Sequence, residues 1–302
     1  MQSTGGLDAM EQEDPYEWEV RAASTPFAHH ALAGSCAGIM EHVGMYPIDT
    51  VKTQMQAAAR ERIGAFQAAR TVLQENSVGG LMRGACVIGA GCVPAHVGLF
   101  GTYEFAMAHF GSKEGPDQHL RTAACGAAAA TVHDCILTPY DLVKQRLQLG
   151  LHRSAWHCIT SIYGSEGLAG FYRSLPITLA MNAPYTGLLV MANEALQGLV
   201  SQSDGMGQLN SMAVYFGCAG VSGGFAACLT SPLDVVKTRI QTCHCGQAKD
   251  GCIPMFLKIA REEGARGFFR GVGPRVCLAV PSAAMCWGTY ETLRQALIRW
   301  LE

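Results

Sequence analysis

The sequence predicts an all-α membrane protein built from three tandem two-helix repeats around a central cavity. One short motif, Pro-x-Asp-x-x-Lys, occurs three times at intervals of 92 and 93 residues. Its prolines are Pro47, Pro139 and Pro232. A fixed period of this length is typical of folds made of equivalent supersecondary units. Hydrophobic residues make up 49% of the 302 residues and charged residues only 15%, which favours a membrane protein over two soluble domains.

The bulk composition alone leaves the membrane spans ambiguous. The chain has no unbroken run of about 20 apolar residues, the usual mark of a spanning helix, because glycine, alanine and single polar residues interrupt each candidate. Small residues allow close helix packing in lipid, and polar residues inside a membrane usually face a wet interior. The repeat therefore decides the interpretation. We expect one repeat in each of residues 27–115, 116–207 and 208–302.

Charge is distributed unevenly along the chain. The formal net charge is −2, yet residues 1–20 contain six acidic side chains and no basic one. The rest of the chain therefore carries a formal charge of +4. An acidic start argues against an arginine-rich transit peptide. We expect residues 1–26 to form an acidic, disordered tail.

Each motif copy predicts a kinked helix that ends in an ion-pairing acid and base. Proline inside a helix removes one backbone hydrogen bond and bends the helix. If three such helices converge on an axis, each acid can meet the lysine of a neighbouring helix and close one end of the cavity. A glutamine follows each proline by nine residues and belongs to the same predicted gate. The gate residues are Asp49, Lys52, Asp141, Lys144, Asp234, Lys237, Gln56, Gln148 and Gln241.

This motif triplet resembles the signature of the mitochondrial carrier family, and the resemblance covers about residues 29–300. It implies six tilted transmembrane helices in three repeats, a short matrix helix in each repeat, and a cavity that opens alternately to the two sides of the inner membrane. It places both termini in the intermembrane space and the predicted gate on the matrix side. It also implies inner-membrane lipids as partners, with cardiolipin as a candidate, and no nucleic acid.

Positions seven residues before the gate acids should face the cavity, because residues two helical turns apart share a face. These positions are His42, Asp134 and Ala227; one residue earlier lie Glu41, His133 and Ala226. The first and third long helices thus carry imidazole and carboxylate side chains, whereas the fifth carries two alanines.

A second set of positions is measured from the prolines of the even-numbered long helices, Pro94, Pro184 and Pro281. In the family, the levels two and three residues before this proline correspond to substrate contacts. Here they hold Cys92, Asn182, Ala279, Gly91, Met181 and Leu278, and His96 lies two residues after Pro94.

The candidate cavity residues predict a metal cation as the cargo. Carriers of organic anions need a fixed cation to pair with the cargo, and none of these positions holds Arg or Lys. We therefore expect a wall without fixed positive charge. Imidazole and carboxylate suit first-row divalent metals, and sulfur ligands add softness. The predicted metal path consists of His42, His96, His133, Asp134, Glu41, Cys92, Met181 and Asn182.

Several segments look similar to the mitoferrin branch of the family. They are residues 38–47, 94–96, 133–134 and 181–185. That similarity implies ferrous iron as the transported substrate, with no resident cofactor. Two departures are Gln54, where the other copies have Arg146 and Arg239, and a missing histidine in residues 210–219. Another divalent metal, or a small organic cofactor such as S-adenosylmethionine, remains an alternative, and a scaffold or proton-leak protein is the rival of a different class.

The opposite end of the cavity should be closed less firmly. Family members close the cytosolic side with an aromatic-acid-x-x-base pattern on the even-numbered long helices. The acids here are Glu104, Glu194 and Glu291, but only Glu291 is followed at the right spacing by a base, Arg294. Three acids with one base predict weak ion pairing at this end of the cavity and a negatively charged mouth, or entrance.

Motifs for other chemistry are missing or weak. No nucleophile elbow, P-loop or zincin motif occurs, so the sequence does not predict an enzyme. Cys243-His244-Cys245 could attract a metal, but its two cysteines are too close for a usual zinc knuckle.

Overall fold

The computed structural model of the chain describes residues 27–58, 63–111, 118–201, 211–243 and 251–299. These ranges are almost entirely helical and contain no β-strand, which confirms the all-α prediction. The helices are α1 (Phe27–Gly44), α2 (Tyr46–Ala57), α3 (Ala65–Leu81), α4 (Ala85–Phe110), α5 (Gln118–Gln148), α6 (Ala155–Glu166), α7 (Ala169–Tyr172), α8 (Leu175–Ser201), α9 (Ser211–Thr242), α10 (Cys252–Glu262) and α11 (Val272–Arg299), with a 3₁₀ helix at Ala265–Phe269. The predicted acidic tail lies outside the described residues.

The long helices form a closed barrel. Helix α1 packs on α4, α4 on α5, α5 on α8, α8 on α9 and α9 on α11, and α11 returns to α1. Each long helix therefore packs against the next one along the chain, and the last packs against the first. This closure gives the bundle an inner side, toward which the candidate site residues can point.

Proline interrupts one of the three motif helices. The first long helix is divided at Met45 into α1 and α2. The cause is Pro47, which lacks the N–H that would continue the helical ladder. Pro139 and Pro232 are instead accommodated inside α5 and α9. Pro94, Pro184 and Pro281 lie inside α4, α8 and α11.

Short helices follow the three motif helices and bury apolar faces against them. Helix α6 contributes Cys158 and Ile162 to a buried cluster with Leu142, Val143 and Leu147 of α5. Helix α10 contributes Met255 and Ile259 to the equivalent cluster with Val235, Val236 and Ile240 of α9. In the first repeat α3 buries Ala68 and Val72. The second and third repeats thus fold alike at the residue level.

An arginine–glutamate clamp reinforces these two repeats. Glu166 lies 2.6 Å from Arg173 and 3.5 Å from Arg146, at the end of α6. Glu263 is held in the same way by Arg239 and Arg270. In the first repeat uncharged Gln54 stands in place of the arginine, and its amide donates to the carbonyl of Gln148 at 3.1 Å.

Within the part of the chain that the structure describes, three helical segments are long and apolar enough to cross a membrane by length and composition. They are Gly79–Phe110, Ala169–Val200 and Gly217–Thr242. They correspond to α4, α7 with α8, and most of α9.

Candidate functional site

Three ion pairs between different helices link the motif copies. Lys52 lies 2.9 Å from Asp234, Lys144 lies 2.9 Å from Asp49, and Lys237 lies 3.1 Å from Asp141. Each acid therefore meets the lysine of another repeat, in the cyclic arrangement that the sequence spacing predicts. We call these six residues the Asp–Lys ring. The ring joins α2, α5 and α9 where they approach the short helices.

The carboxylates of the ring are supported unequally. Gln56 donates to Asp234 at 2.7 Å and Gln148 donates to Asp49 at 2.9 Å. The third glutamine, Gln241, donates instead to the hydroxyl of Ser174 at 3.0 Å. Its spacing predicts a place in the gate, but its amide joins α9 to the segment before α8.

The ring is largely shielded from solvent. Its aspartate and lysine side chains are between 8% and 22% exposed. Removing one partner from a buried pair leaves an uncompensated charge, at a cost of about 3–5 kcal/mol. The closed ring is therefore a firm barrier, and it opens without large loss only if its charges find other partners or water.

A second polar cluster joins α4, α5 and α8. The amide of Asn182 donates to Asp134 at 2.5 Å, and the ring of His133 approaches the same carboxylate at 3.4 Å. The imidazoles of His133 and His96 meet edge to face, with ring centroids 5.3 Å apart. Four residues of the predicted metal path are thus brought together. We call them the His–Asp cluster.

Helix geometry explains why these four side chains meet. His133 and Asp134 lie two turns before the ring residues of α5, and Asn182 lies two residues before the kink proline of α8. His96 is fixed by a 2.8 Å contact between Nδ1 and the carbonyl oxygen of Cys92, one turn earlier in α4. With Nδ1 engaged in this way, Nε2 is the ring nitrogen suited to a ligand.

His42 and Glu41 lie on α1 at positions equivalent to Asp134 and His133 of α5, seven and eight residues before the ring acid of their repeat. His42 is within electrostatic range of Asp49, Asp141 and Lys144 of the ring, and of His96. Glu41 accepts a 2.5 Å hydrogen bond from the hydroxyl of Ser282 on α11. The candidate ligands of α1 and α5 therefore occupy the same level of the barrel, two turns from the ring. Among the residues that the structure describes, no three or more His, Cys, Asp or Glu side chains are grouped so that they could hold a metal ion together.

The two sulfur residues of the predicted path differ in their surroundings. Cys92 has no exposed surface and packs with Tyr46, Ile88 and Ala95. Its contribution visible in the structure is the carbonyl that orients His96. Met181 is buried too, and its sulfur lies 3.9 Å from a guanidinium nitrogen of Arg275.

Arg275 corrects the expectation of a wall without fixed positive charge. Its guanidinium lies 3.4 Å from Asp234, donates to Thr230 at 2.9 Å and stands over the ring of Tyr185. The expectation was wrong because it considered only the levels two and three residues before Pro281. Position 275 is one turn before Ala279 and shares its helix face. Counting six residues back from Pro281, instead of two or three, would therefore have included it. Asp234 offsets this charge while also binding Lys52.

Of the four residues of the predicted cytosolic gate, the structure describes the side chains of two. Glu104 is half-buried and Glu194 is exposed. The side chains of Glu291 and Arg294 lie outside the described part of the chain. At this end, His30 of α1 contacts the hydroxyl of Tyr290 at 2.8 Å and packs against Phe100. Sequence reasoning did not single out His30, which ties α1 to α4 and α11 across the barrel wall.

Gly38 makes room for His96, so its substitution should disturb the cluster without removing a donor. A Cβ at position 38 would lie 2.3 Å from Cε1 and 2.7 Å from Nε2 of His96. We expect Gly38→Ala to displace the imidazole and to lower metal uptake about tenfold, by analogy with the loss seen when an orienting contact is removed. Uptake into proteoliposomes measures this.

Gly126→Ala is the matched control, because a Cβ at position 126 in α5 meets nothing within 4 Å. Alanine there should be neutral or slightly stabilising for the helix. Equal uptake by the two variants would mean that the position of His96 is unimportant for transport.

A profile of the family described as Mitochondrial carrier protein matches residues 23–114, 115–204 and 208–300. The chain belongs to the mitochondrial carrier family. The carrier is accordingly a multi-pass protein of the mitochondrial inner membrane, and the members of its family are transporters. The three matched segments coincide with the three motif copies that form the Asp–Lys ring.

Its relatives cover nearly its whole length. The Mitochondrial RNA-splicing protein MRS4 of Saccharomyces cerevisiae is 35% identical over 94% of this carrier and 96% of the relative. Mitoferrin of Dictyostelium discoideum is 33% identical over 88% and 92%. Mitoferrin-1 of Homo sapiens is 31% identical over 98% and 90%. The resemblance to the carrier family and to its mitoferrin branch is thus confirmed.

Proposed function

We propose that this carrier imports ferrous iron into the mitochondrial matrix by alternating access. The observation that carries the proposal is the His–Asp cluster, in which His96, His133, Asp134 and Asn182 meet inside a closed helix barrel. Imidazole nitrogen and carboxylate or amide oxygen are ligands that Fe²⁺ accepts. The similarity to proteins named mitoferrin supports iron over other first-row metals.

The proposed topology has six transmembrane spans, formed by α1 with α2, α4, α5, α8, α9 and α11. The short helices α3, α6 and α10 lie on the matrix side, and both termini lie in the intermembrane space. In this orientation the Asp–Lys ring is the matrix gate, and the described conformation is closed toward the matrix. Inner-membrane lipids, including cardiolipin, are the proposed surroundings, and nucleic acid is not a partner.

The chemistry of the candidate ligands supports passage of a cation. Asp134 supplies the negative charge that compensates the cation, and His96 and His133 supply neutral nitrogen ligands. Glu41 and His42 offer further ligands from α1, and His42 is within electrostatic range of the ring. A divalent cation there attracts Asp49 and Asp141 and repels Lys144, so it weakens the pairs that close the gate. Few ligands at each stage keep binding weak enough for release.

Arg275 gives a specific reason to retain a second candidate. A guanidinium can pair with a carboxylate, and the cluster on α5 offers Asp134 to a positive group. A small organic cofactor with both charges, such as S-adenosylmethionine, would use both. The engagement of Arg275 with Asp234 at 3.4 Å makes it less available to a cargo, which favours the metal.

Uptake into liposomes tests the proposal. The purified full-length carrier is reconstituted with a trapped metal-quenched fluorophore, and Fe²⁺ is added under anaerobic conditions. We expect saturable quenching that Mn²⁺ inhibits and S-adenosylmethionine does not. Inhibition by the organic cation would favour the cofactor carrier, and the absence of saturable metal flux would favour a leak or scaffold protein.

The acids near the outer mouth should raise the rate of capture. A cluster of like charge concentrates counter-ions and acts most strongly at low ionic strength. We expect Glu104→Gln combined with Glu194→Gln to lower Fe²⁺ uptake severalfold at low salt and to have little effect at 0.5 M KCl. Unchanged uptake at low salt would rule out electrostatic capture by these residues.

A further inference from the structure

Two histidines lie together just beyond the end of α5, outside the barrel interior. His152 follows Gln148, the last residue of α5, by four positions, and His157 lies in the first turn of α6. Their Nδ1 atoms are 3.3 Å apart and their ring centroids are 5.3 Å apart. His157 is exposed and His152 is partly exposed. Neither residue takes part in the Asp–Lys ring or the His–Asp cluster.

The backbone at both histidines is fixed. The side chain of Ser154 caps α6 by accepting from the backbone N–H of His157 at 3.2 Å. Arg83 donates to the carbonyl oxygen of His152 at 2.9 Å. The two imidazoles therefore converge from anchored positions, so a ligand that needs both would not have to order a free loop.

We propose that His152 and His157 form a chelating pair for a divalent first-row metal ion on the face where the Asp–Lys ring is closed. Two imidazole nitrogens in adjacent positions on one metal, each bonded at about 2.05 Å, are separated by about 2.9–3.4 Å for angles of 90–110°. The observed separation of 3.3 Å lies in this range. An ion placed between the two Nδ1 atoms would replace the proton that they otherwise share.

The surroundings make this a weak, exchanging site. Two protein ligands leave the other coordination positions to water, unlike a closed structural site. Arg83, which also approaches the carbonyl of Arg153 at 3.4 Å, adds positive charge nearby. Both features favour rapid release. The pair thus suits an ion that has just left the gate. This transport role rests on the proposed function, whereas metal binding by the pair does not depend on it.

The link to the gate is short along the chain. Gln148 donates to Asp49 of the ring at 2.9 Å, and the histidine pair begins four residues later. Because a proton and a metal ion compete for the same imidazole nitrogen, acid should weaken the binding.

Copper bound to iminodiacetate tests the site on the full-length carrier in lipid nanodiscs. The chelator occupies part of the coordination sphere, so firm binding needs two protein nitrogens, and its bulk restricts it to the surface. We expect electron paramagnetic resonance to show copper with two imidazole ligands. His152→Ala and His157→Ala should each weaken binding at least tenfold. His109→Ala is the control, because His109 is a single exposed histidine on α4.

The outcomes separate the site from the transport function. Binding by His152→Ala as tight as that of the wild type, or a wild-type spectrum with one imidazole, would mean a hydrogen-bonded pair only. The wild-type spectrum decides this even if a variant fails to fold. Copper binding without Fe²⁺ uptake would retain the site and reject the iron carrier, and uptake without copper binding would do the reverse.

Discussion

Replacing His96 by alanine is expected to lower Fe²⁺ uptake by a factor of about 10–100, the range typical for loss of a group that supports a metal site. His96 belongs to the His–Asp cluster and lies against Gly38 of α1, and its Nδ1 is engaged by the carbonyl of Cys92 at 2.8 Å. Its removal deletes a nitrogen donor and the ring that packs against His133. The measurement is the initial uptake rate into proteoliposomes across a range of Fe²⁺ concentrations.

His109→Ala is a closely matched control. It lies on the same helix, and its Nδ1 is likewise 2.8 Å from the carbonyl oxygen four residues earlier, that of Phe105. It is exposed at the end of α4, 13 residues after His96. We expect its uptake to equal that of the wild type. If both variants lost uptake equally, the effect would come from helix α4 and not from a metal path through His96.

Asp234→Asn is expected to destabilise the closed conformation more than any other single change in the Asp–Lys ring. Asp234 receives Lys52 at 2.9 Å, Gln56 at 2.7 Å and Arg275 at 3.4 Å, all on one carboxylate oxygen. Asparagine keeps the shape but leaves two buried cations without their anion. Breaking a buried pair costs about 3–5 kcal/mol, and the second cation places this site at the upper end.

Asp141→Asn provides the comparison within the same ring. Its carboxylate pairs with Lys237 at 3.1 Å, and the equivalent glutamine, Gln241, bonds elsewhere. We expect the apparent melting temperature in detergent to be lowest for Asp234→Asn, intermediate for Asp49→Asn and highest for Asp141→Asn. Such melting is often irreversible, so the order is the test and not an equilibrium free energy. Equal losses at the three positions would show that the additional contacts of Asp234 are not stabilising.

Much of the fold follows from the sequence because the repeat supplies its own alignment. Once Pro47, Pro139 and Pro232 are superposed, the acid and base of each copy fall one turn apart, and cyclic pairing is the arrangement that satisfies all six charges. The positions two turns before the acids then face the same interior, which brings His133 and Asp134 together with Asn182. Local periodicity and internal symmetry are enough for these predictions.

Internal symmetry cannot predict how the three repeats differ from one another. Arg275 has no equivalent base in the other even-numbered helices, so a comparison of repeats passes over it. The amide of Gln241 donates to the hydroxyl of Ser174, a contact set by the tertiary position of the segment before α8. The break at Met45 also depends on local packing, because the same proline is tolerated inside α5 and α9. These features arise from neighbours that are distant in sequence.

The neutral Gln54 of the first repeat has a mechanical consequence. Arg146 and Arg239 tie their helices to the glutamates that end the adjoining short helices, whereas Gln54 contributes one amide bond to a carbonyl oxygen. Arg146 also donates to the carbonyl of Gln241 on α9, and Arg239 to the carbonyl of Gln56 on α2. Two of the three contacts between the ends of the motif helices are therefore charged, and the contact between α2 and α5 is neutral. We expect the barrel to separate first between α2 and α5 when the ring opens.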